Sequence, residues 1–341
     1  MLILVAYFFK LEIDMLSIQK ILVPTDFSDN SYSIFPLVLK TAKKFGATVD
    51  LIHIIPDSPY FKVARDTLSG LFGSGGKNPS TKELKTHLKN KLETTLNYQI
   101  PEEHRGEAFI YEGGRAEAEI VKHTHQHSYD LIMVASRGMG NSLFSRGSIT
   151  EGLIQFSDIP VLSSNQDLDS QIPTIIFPTD GSKLSFEALP IALKFAEKFE
   201  ATIHLLGIVV VERMDATLTG KGARIQDYAL NQFRQDVLKN LKEFVKENND
   251  DLDFEIPPSV ENPSFKLRLK DEKSIPVSLH FKEGVSAYSS IVAYSLSYGQ
   301  LVVMTTHGRS GLAHFFIGST AEKVARNLEM PVITVKPKNL K

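Results

Sequence analysis

Apolar residues in this chain come as short runs separated by stretches of helical spacing, and the whole alternation occurs twice. Ile18–Val23 is an apolar run closed by Pro24-Thr25-Asp26, as expected of a buried parallel strand. Ile34, Leu37, Val38, Ala42 and Phe45 follow at helical spacing, with Ser28 or Asp29 as the expected cap and Gly46 as a stop. The pattern then predicts a strand over Thr48–Ile55, a third containing Phe109–Tyr111, a helix over Ala116–His127, a strand at Leu131–Ala135, a helix over Ser148–Phe156 and a fifth strand at Pro160–Ser163. The order then starts again. Strands are predicted near Thr174–Pro178, Thr202–Val211, Val277–Phe281, Leu301–Thr305 and Val332–Lys336, and helices near Ser185–Phe199, Ser286–Leu296 and Thr320–Asn327. Alternating strands and helices specify a parallel sheet covered on both faces.

The repetition extends to the letters. Ile21-Leu22-Val23-Pro24-Thr25-Asp26-Phe27-Ser28 returns as Ile175-Ile176-Phe177-Pro178-Thr179-Asp180-Gly181-Ser182, and Lys44-Phe45-Gly46-Ala47-Thr48 as Lys198-Phe199-Glu200-Ala201-Thr202. Glu112-Gly113 returns as Glu283-Gly284, and Gly147-Ser148 as Gly318-Ser319. This reads as two tandem domains, expected at 15–164 and 173–341, with a polar linker at 165–172 and an N-terminal extension at 1–14. The copies differ most between strands two and three. The first has a Gly- and Ser-rich loop at Leu68–Ser80 and a charged helix from about Thr81 to Asn97; the second has an amphipathic helix over Lys221–Asn249 and an irregular excursion over Asp251–Ser274. The apolar start Met1–Phe9 is far shorter than a membrane span of about 20 residues. We read it as an over-extended start with Met15 as initiator, or as a short appended strand, in preference to a signal peptide.

At 341 residues there is room for two self-sufficient cores. The net charge of −2 gives no electrostatic reason to expect nucleic acid or an anionic membrane as partner. With no cysteine, disulfides, thiolate nucleophiles and Cys-based metal sites are excluded. The expected location is cytoplasmic.

Candidate chemistry gathers in the second copy. Strand four runs into Thr305-Thr306-His307-Gly308-Arg309-Ser310-Gly311, and Gly318-Ser319-Thr320 opens the next helix. A glycine loop and a helix N-terminus at the C-terminal end of a parallel strand present free N–H groups and a dipole that favour phosphate. Glycines also allow close approach to the backbone. The same loop can equally be a plain connection. A Walker loop, a GxGxxG fingerprint, a Gly-x-Ser-x-Gly elbow and a His-Glu-x-x-His pair are all absent from the sequence, so no catalytic residue and no metal site is assigned. Asp26 and Asp180, each just after a first strand, suit either a turn or a ligand. His123 and His127 share a helix face, but the sequence offers no third ligand; a helix surface is the expected role.

Pro-Thr-Asp after strand one, Glu-Gly after strand three and Gly-x9-Gly-Ser after strand four together resemble the universal stress protein family, over nearly the whole chain. The resemblance implies two tandem adenine-nucleotide alpha-hydrolase-like (Rossmann-like) α/β domains. Each would be an open five-stranded parallel sheet, order 3-2-1-4-5, with helices on both faces. It also implies a site for ATP, with ADP and AMP as alternatives, and magnesium carried by the nucleotide beside Asp180. Matched onto the second copy, that site takes Pro178, Thr179, Asp180, Ile208, Met304, Thr305, His307, Gly308, Arg309, Gly318, Ser319 and Thr320. Thr305 stands where the family pattern has its first glycine, and its β-carbon is expected to crowd a nucleotide. In the first copy Thr25, Asp26, Ile54, Gly138, Gly147, Ser148 and Ile149 match less well. Ala135 replaces the first glycine and the loop is one residue short. The implied role is regulatory or stress-protective. The alternatives are a ligand-free interaction or scaffold module, and a slow ATPase or autophosphorylating protein. Family members dimerise through the last strand, which here would pair the two domains as an intramolecular pseudo-dimer, with a further homodimer open. Leu68, Leu71, Phe72 and the helix from Lys221 are a weaker candidate for a small hydrophobic ligand.

Overall fold

The structure, a computed structural model, describes residues 10–11, 17–55, 81–136, 148–164, 171–211, 221–247, 264–269, 274–308 and 318–338. The strands are β1 Lys10–Leu11, β2 Lys20–Pro24, β3 Thr48–Ile55, β4 Arg105–Glu112, β5 Leu131–Ala135, β6 Val161–Ser164, β7 Thr174–Thr179, β8 Thr202–Val210, β9 Ser264–Leu269, β10 Ser274–Gly284, β11 Leu301–Thr305 and β12 Val332–Val335. The helices are α1 Asp29–Tyr32, α2 Phe35–Phe45, α3 Thr81–Gln99, α4 Ala116–Gln126, α5 Ser148–Phe156, α6 Lys183–Phe186, α7 Leu189–Phe199, α8 Lys221–Glu247, α9 Ala287–Tyr298 and α10 Ser319–Asn327. The glycine- and serine-rich loop at Leu68–Ser80 lies outside the described residues.

The chain divides into two compact units, Ile18–Asp167 and Leu168–Lys341, the latter joined by the N-terminal segment. In the first unit β4-β3-β2-β5-β6 are neighbours, all parallel. In the second, β10-β8-β7-β11-β12 repeat that order, again parallel. Both match the expected 3-2-1-4-5. The second sheet is wider than expected, because β9 pairs antiparallel with β10 and β1 pairs parallel with β9. The excursion expected as irregular thus contains a strand. Its alternation of Phe265 and Leu267, both buried, is short and sits among charges and prolines. The segment Met1–Phe9, read as an over-extended start or an appended strand, lies outside the described residues; Lys10–Leu11 just after it form β1.

Each helix expected after a first strand is split in two. Pro36 and Pro190 fall in the first turn of α2 and α7. Neither has an N–H to continue the preceding short helix, and both suit a fresh start. α2 ends on Gly46 at φ 70°, whereas α7 ends on Glu200 at φ 57°. Central strands are buried on both faces, with Ile21, Leu22, Val23, Ile175, Ile176 and Phe177 fully enclosed. On one face of the second sheet, α9 and α10 close over Ile176, Leu206, Val302 and Met304.

One histidine of this helix, His123, departs from the expected solvated or partly buried surface. His125 and His127 are exposed and half-buried, but His123 is in the core. It bonds Tyr111 at 3.0 Å and Tyr129 at 2.9 Å, while Tyr129 donates to the buried Asp50 at 2.7 Å. Asp50 also accepts from the Glu107 amide at 2.7 Å and pairs with Lys20 at 3.0 Å. Burial, and secondarily the neighbouring His127, pushes His123 down to about 4, so it is neutral at physiological pH.

Candidate functional site

The site is built first from the turn that follows β7. Asp180 Oδ1 accepts from the Ser182 amide at 2.9 Å and the Ser182 hydroxyl at 2.6 Å. Ser182 Oγ in turn accepts from the Ser185 amide at 3.2 Å and caps α6. Thr179 Oγ1 bonds Ser185 Oγ at 2.6 Å and accepts from the Gly181 amide at 3.0 Å. Gly181 has φ 77°, and Asn240 of α8 donates to its carbonyl at 2.6 Å. The first unit reproduces the frame. Asp26 accepts from Ser28 N at 3.0 Å and Ser28 Oγ at 2.5 Å, and Thr25 Oγ1 bonds Ser31 Oγ at 2.9 Å. Phe27 replaces the glycine at φ 62°, with its ring 4.5 Å from that of His53 and the Lys91 ammonium 4.6 Å above it. The serines therefore cap, and the aspartates hold the serines.

The end of β11 supplies the second part. The Thr306 amide donates to Val335 O at 2.8 Å, which holds the strand end against β12. Thr305 Oγ1 donates to His307 O at 2.6 Å, and Thr306 Oγ1 bonds His307 Nδ1 at 2.9 Å. The Thr305 hydroxyl is thus turned to its own loop, and His307 orders that loop. The Gly318 amide donates to Thr306 O at 2.8 Å, which brings the start of α10 back to the strand end. Gly318 lends no side chain to cap α10, and the start of that helix, Gly318–Thr320, lines the same space as Gly308.

The third part is an overhang. β7 and β8 stay in register to Thr179 and Gly207, and β8 continues to Val210. The Val211 amide donates to Gly284 O, on the β10 side. By the strand's two-residue alternation, the N–H and C=O of Ile208 point the other way, into the space past the end of β7.

These parts enclose a cleft of about 320 Å³, the size of a small-ligand pocket. It is lined by Pro178, Thr179, Asp180, Ile208, Met304, Thr305, His307, Gly308, Gly318, Ser319 and Thr320. Of the candidates in this copy, Arg309 lies outside the described residues. In the first unit Thr25, Asp26 and Ile54 hold matching positions, Ser148 opens α5 and Ile149 is half-buried in it. Gly138 and Gly147 lie outside the described residues. The sequence reasoning missed Ser185, Leu206, Ala287, Ile291, Thr306 and Ala321, which also line the cleft. Leu206 had a signal in the strand alternation that brings it to the face of Ile208; Ala287 and Ile291 had one in their i, i+4 spacing. Among the described residues no cluster of three or more His, Asp or Glu could hold a metal. Among the same residues no helix is long and apolar enough to cross a membrane.

Comparison with known proteins decides the family. The model of the universal stress protein family matches residues 17–163 and again 172–336. The chain belongs to the universal stress protein family. Two universal stress proteins of Methanocaldococcus jannaschii are similar to single domains of it. One is 36% identical over 156 residues, 42% of this chain and 93% of that protein; the other is 26% identical over 162 residues, 48% of this chain and 81% of that protein. Among solved structures, a universal stress protein from Archaeoglobus fulgidus superimposes with a TM-score of 0.56 at 20% identity, covering 93% of this chain and 98% of that one, and so shares the fold.

Proposed function

We propose that this universal stress protein binds an adenine nucleotide in the cleft of its C-terminal domain and acts as a nucleotide-linked regulatory or stress-protective protein of the cytoplasm. The observation that carries the reading is the convergence of three features on one space: the Ile208 backbone edge, the Asp180 turn, and the uncapped start of α10 at Gly318–Thr320. An overhanging strand edge offers a donor and an acceptor to a planar base. The apolar residues Leu206, Ile291 and Met304 provide a surface for it, and the helix start suits phosphate. ATP is the proposed ligand, with ADP and AMP as alternatives. Magnesium would enter with the phosphates near Asp180, whose Oδ1 already holds Ser182. Pairing of the two domains through β6 and β12 belongs to the same proposal. Its test is the hydrogen-exchange protection of the amides in those strands.

Isothermal titration of ATP, ADP and AMP, each with and without magnesium, tests the binding. Gly318→Asp places a carboxylate where phosphate is expected. A β-carbon at that position stands 3.0 Å from Thr306 O, so a second variant, Ala287→Phe, blocks the cleft from its rim. One-site binding by the wild type, lost in both folded variants, supports the reading. Absence of binding for all three nucleotides removes it and favours a scaffold role, in which the Asp180 frame is purely structural.

A further inference from the structure

The cleft has two side walls from different elements: β8, through Leu206 and Ile208, and α9, through Ala287 and Ile291. A polar cluster not used by the nucleotide reading lies behind them. His204 is two residues before Leu206, on the same strand face. Tyr294 is three residues after Ile291, on the adjoining face of α9. His204 Nδ1 and the Tyr294 hydroxyl are hydrogen bonded at 3.0 Å, tying one wall to the other. His280 of β10 stacks on His204 with ring centroids 4.4 Å apart, lies 5.6 Å from Tyr294, and bonds Ser278 Oγ through Nε2 at 2.8 Å. Tyr294 belongs to the same buried cluster as Leu206, Ile291 and Met304, with Ile208 packed against it.

The geometry points to His204 and Tyr294 as positioning residues that hold the two walls of the cleft at the spacing a ligand needs, with the His204–His280 pair as the point where acid releases that hold. The inference rests on the nucleotide reading above and names a regulation of the same site. Two half-buried imidazoles at this distance cannot both carry charge cheaply. Among the described residues, the titratable and charged groups facing them are Lys282 from β10 and Tyr294 from α9, with Tyr298 against Tyr294; the β7 residue paired with His204 is the apolar Ile176. None of these is a carboxylate that would steady an imidazolium. Burial lowers both histidines from their ordinary value, and burial, then His204 and Lys282, bring His280 down to about 4. The closed walls therefore favour the neutral pair. By linkage, a ligand that needs closed walls binds more weakly as protons are added.

The test uses the full chain and adenosine as probe, because adenosine has no phosphate to titrate in this range. In the double variant His204→Asn with His280→Gln, amide groups take the places of Nδ1 and Nε2 without a titrating ring. Wild-type affinity is expected to be level from about pH 8 to 6.5 and to fall roughly fivefold or more by about pH 4.5, while the affinity of the variant, whatever its level at about pH 8, changes less than about twofold over the same range. An equal fall in both overturns the proposal. A second readout covers a variant that fails to fold and a chain that fails to bind. In the unliganded wild type, the methyl resonances of Ile208 and Ile291 are expected to shift together with the histidine titration. If adenosine does not bind at about pH 8, titration of ATP, ADP and AMP decides the nucleotide reading, and the methyl readout tests the hold between the walls on its own. Methyls that stay still through the titration overturn the hold between the walls.

Discussion

The carboxylate of Asp180 lies directly against Gly308: a β-carbon on Gly308 would stand 2.1 Å from Asp180 Oδ2. The two residues come from different strand ends, so their contact sets how the β7 turn and the β11 loop meet. Glycine is needed here for space, not for an unusual φ. Gly308→Ala is expected to displace Asp180 or the loop and to cost about 1–3 kcal/mol. Chemical denaturation measures it, and a midpoint equal to wild type would show that the contact is slack.

Thr305 gives a second expectation. Its hydroxyl donates to His307 O inside the loop, so restoring the glycine of the family pattern removes a buried bond without opening useful space. Thr305→Gly should lose about 1 kcal/mol of stability and gain no affinity for AMP. Tighter AMP binding by the variant would reinstate crowding by the side chain, as the sequence alone suggests.

Much of the site is legible in the sequence because it is local. The Pro-Thr-Asp-Gly-Ser turn satisfies its own polar groups within a few residues, so the letters nearly determine the geometry. Leu206, Ala287 and Ile291 are different. Their place in the cleft depends on which helix covers which strand, and a hydrophobic period does not state that. His123 shows the limit most clearly. Its burial is possible because Tyr129 and Asp50 complete its network, and Asp50 is remote in sequence. Likewise β9 reads as irregular until the bare edge of β10 gives it a partner.

The His123 network predicts a pH dependence of stability. The folded value is about 4, below the ordinary 6.5, so the unfolded chain binds more protons between those limits. Stability from this group is intact above about pH 6.5 and falls as pH drops toward 4, by about 3 kcal/mol in total. His123→Gln should flatten that part of the profile in urea denaturation across the range. An unchanged slope would assign the acid sensitivity to other groups.

A helix end offers a gain. Glu200 ends α7 in the left-handed conformation at φ 57°, where the matching residue of α2 is Gly46 at φ 70°. Glu200→Gly is expected to stabilise the C-terminal domain by roughly 0.5–1 kcal/mol, and Gly46→Ala to destabilise the N-terminal domain by a similar amount. Thermal unfolding of both variants checks the pair, and shifts of the opposite sign would count against backbone strain as the cause.

The Asp–Ser turn is built the same way in both domains, with matched bonds of 2.9–3.0 Å from the serine amide and 2.5–2.6 Å from its hydroxyl, although the glycine loop beside it is shorter in one. The frame is therefore made by the residues of the turn itself. After a duplication, one copy can change at its glycine loop while the turn beside it keeps its architecture. Divergence in the glycine loop leaves the bonds of the turn in place, so the two halves of a single polypeptide can drift toward separate tasks.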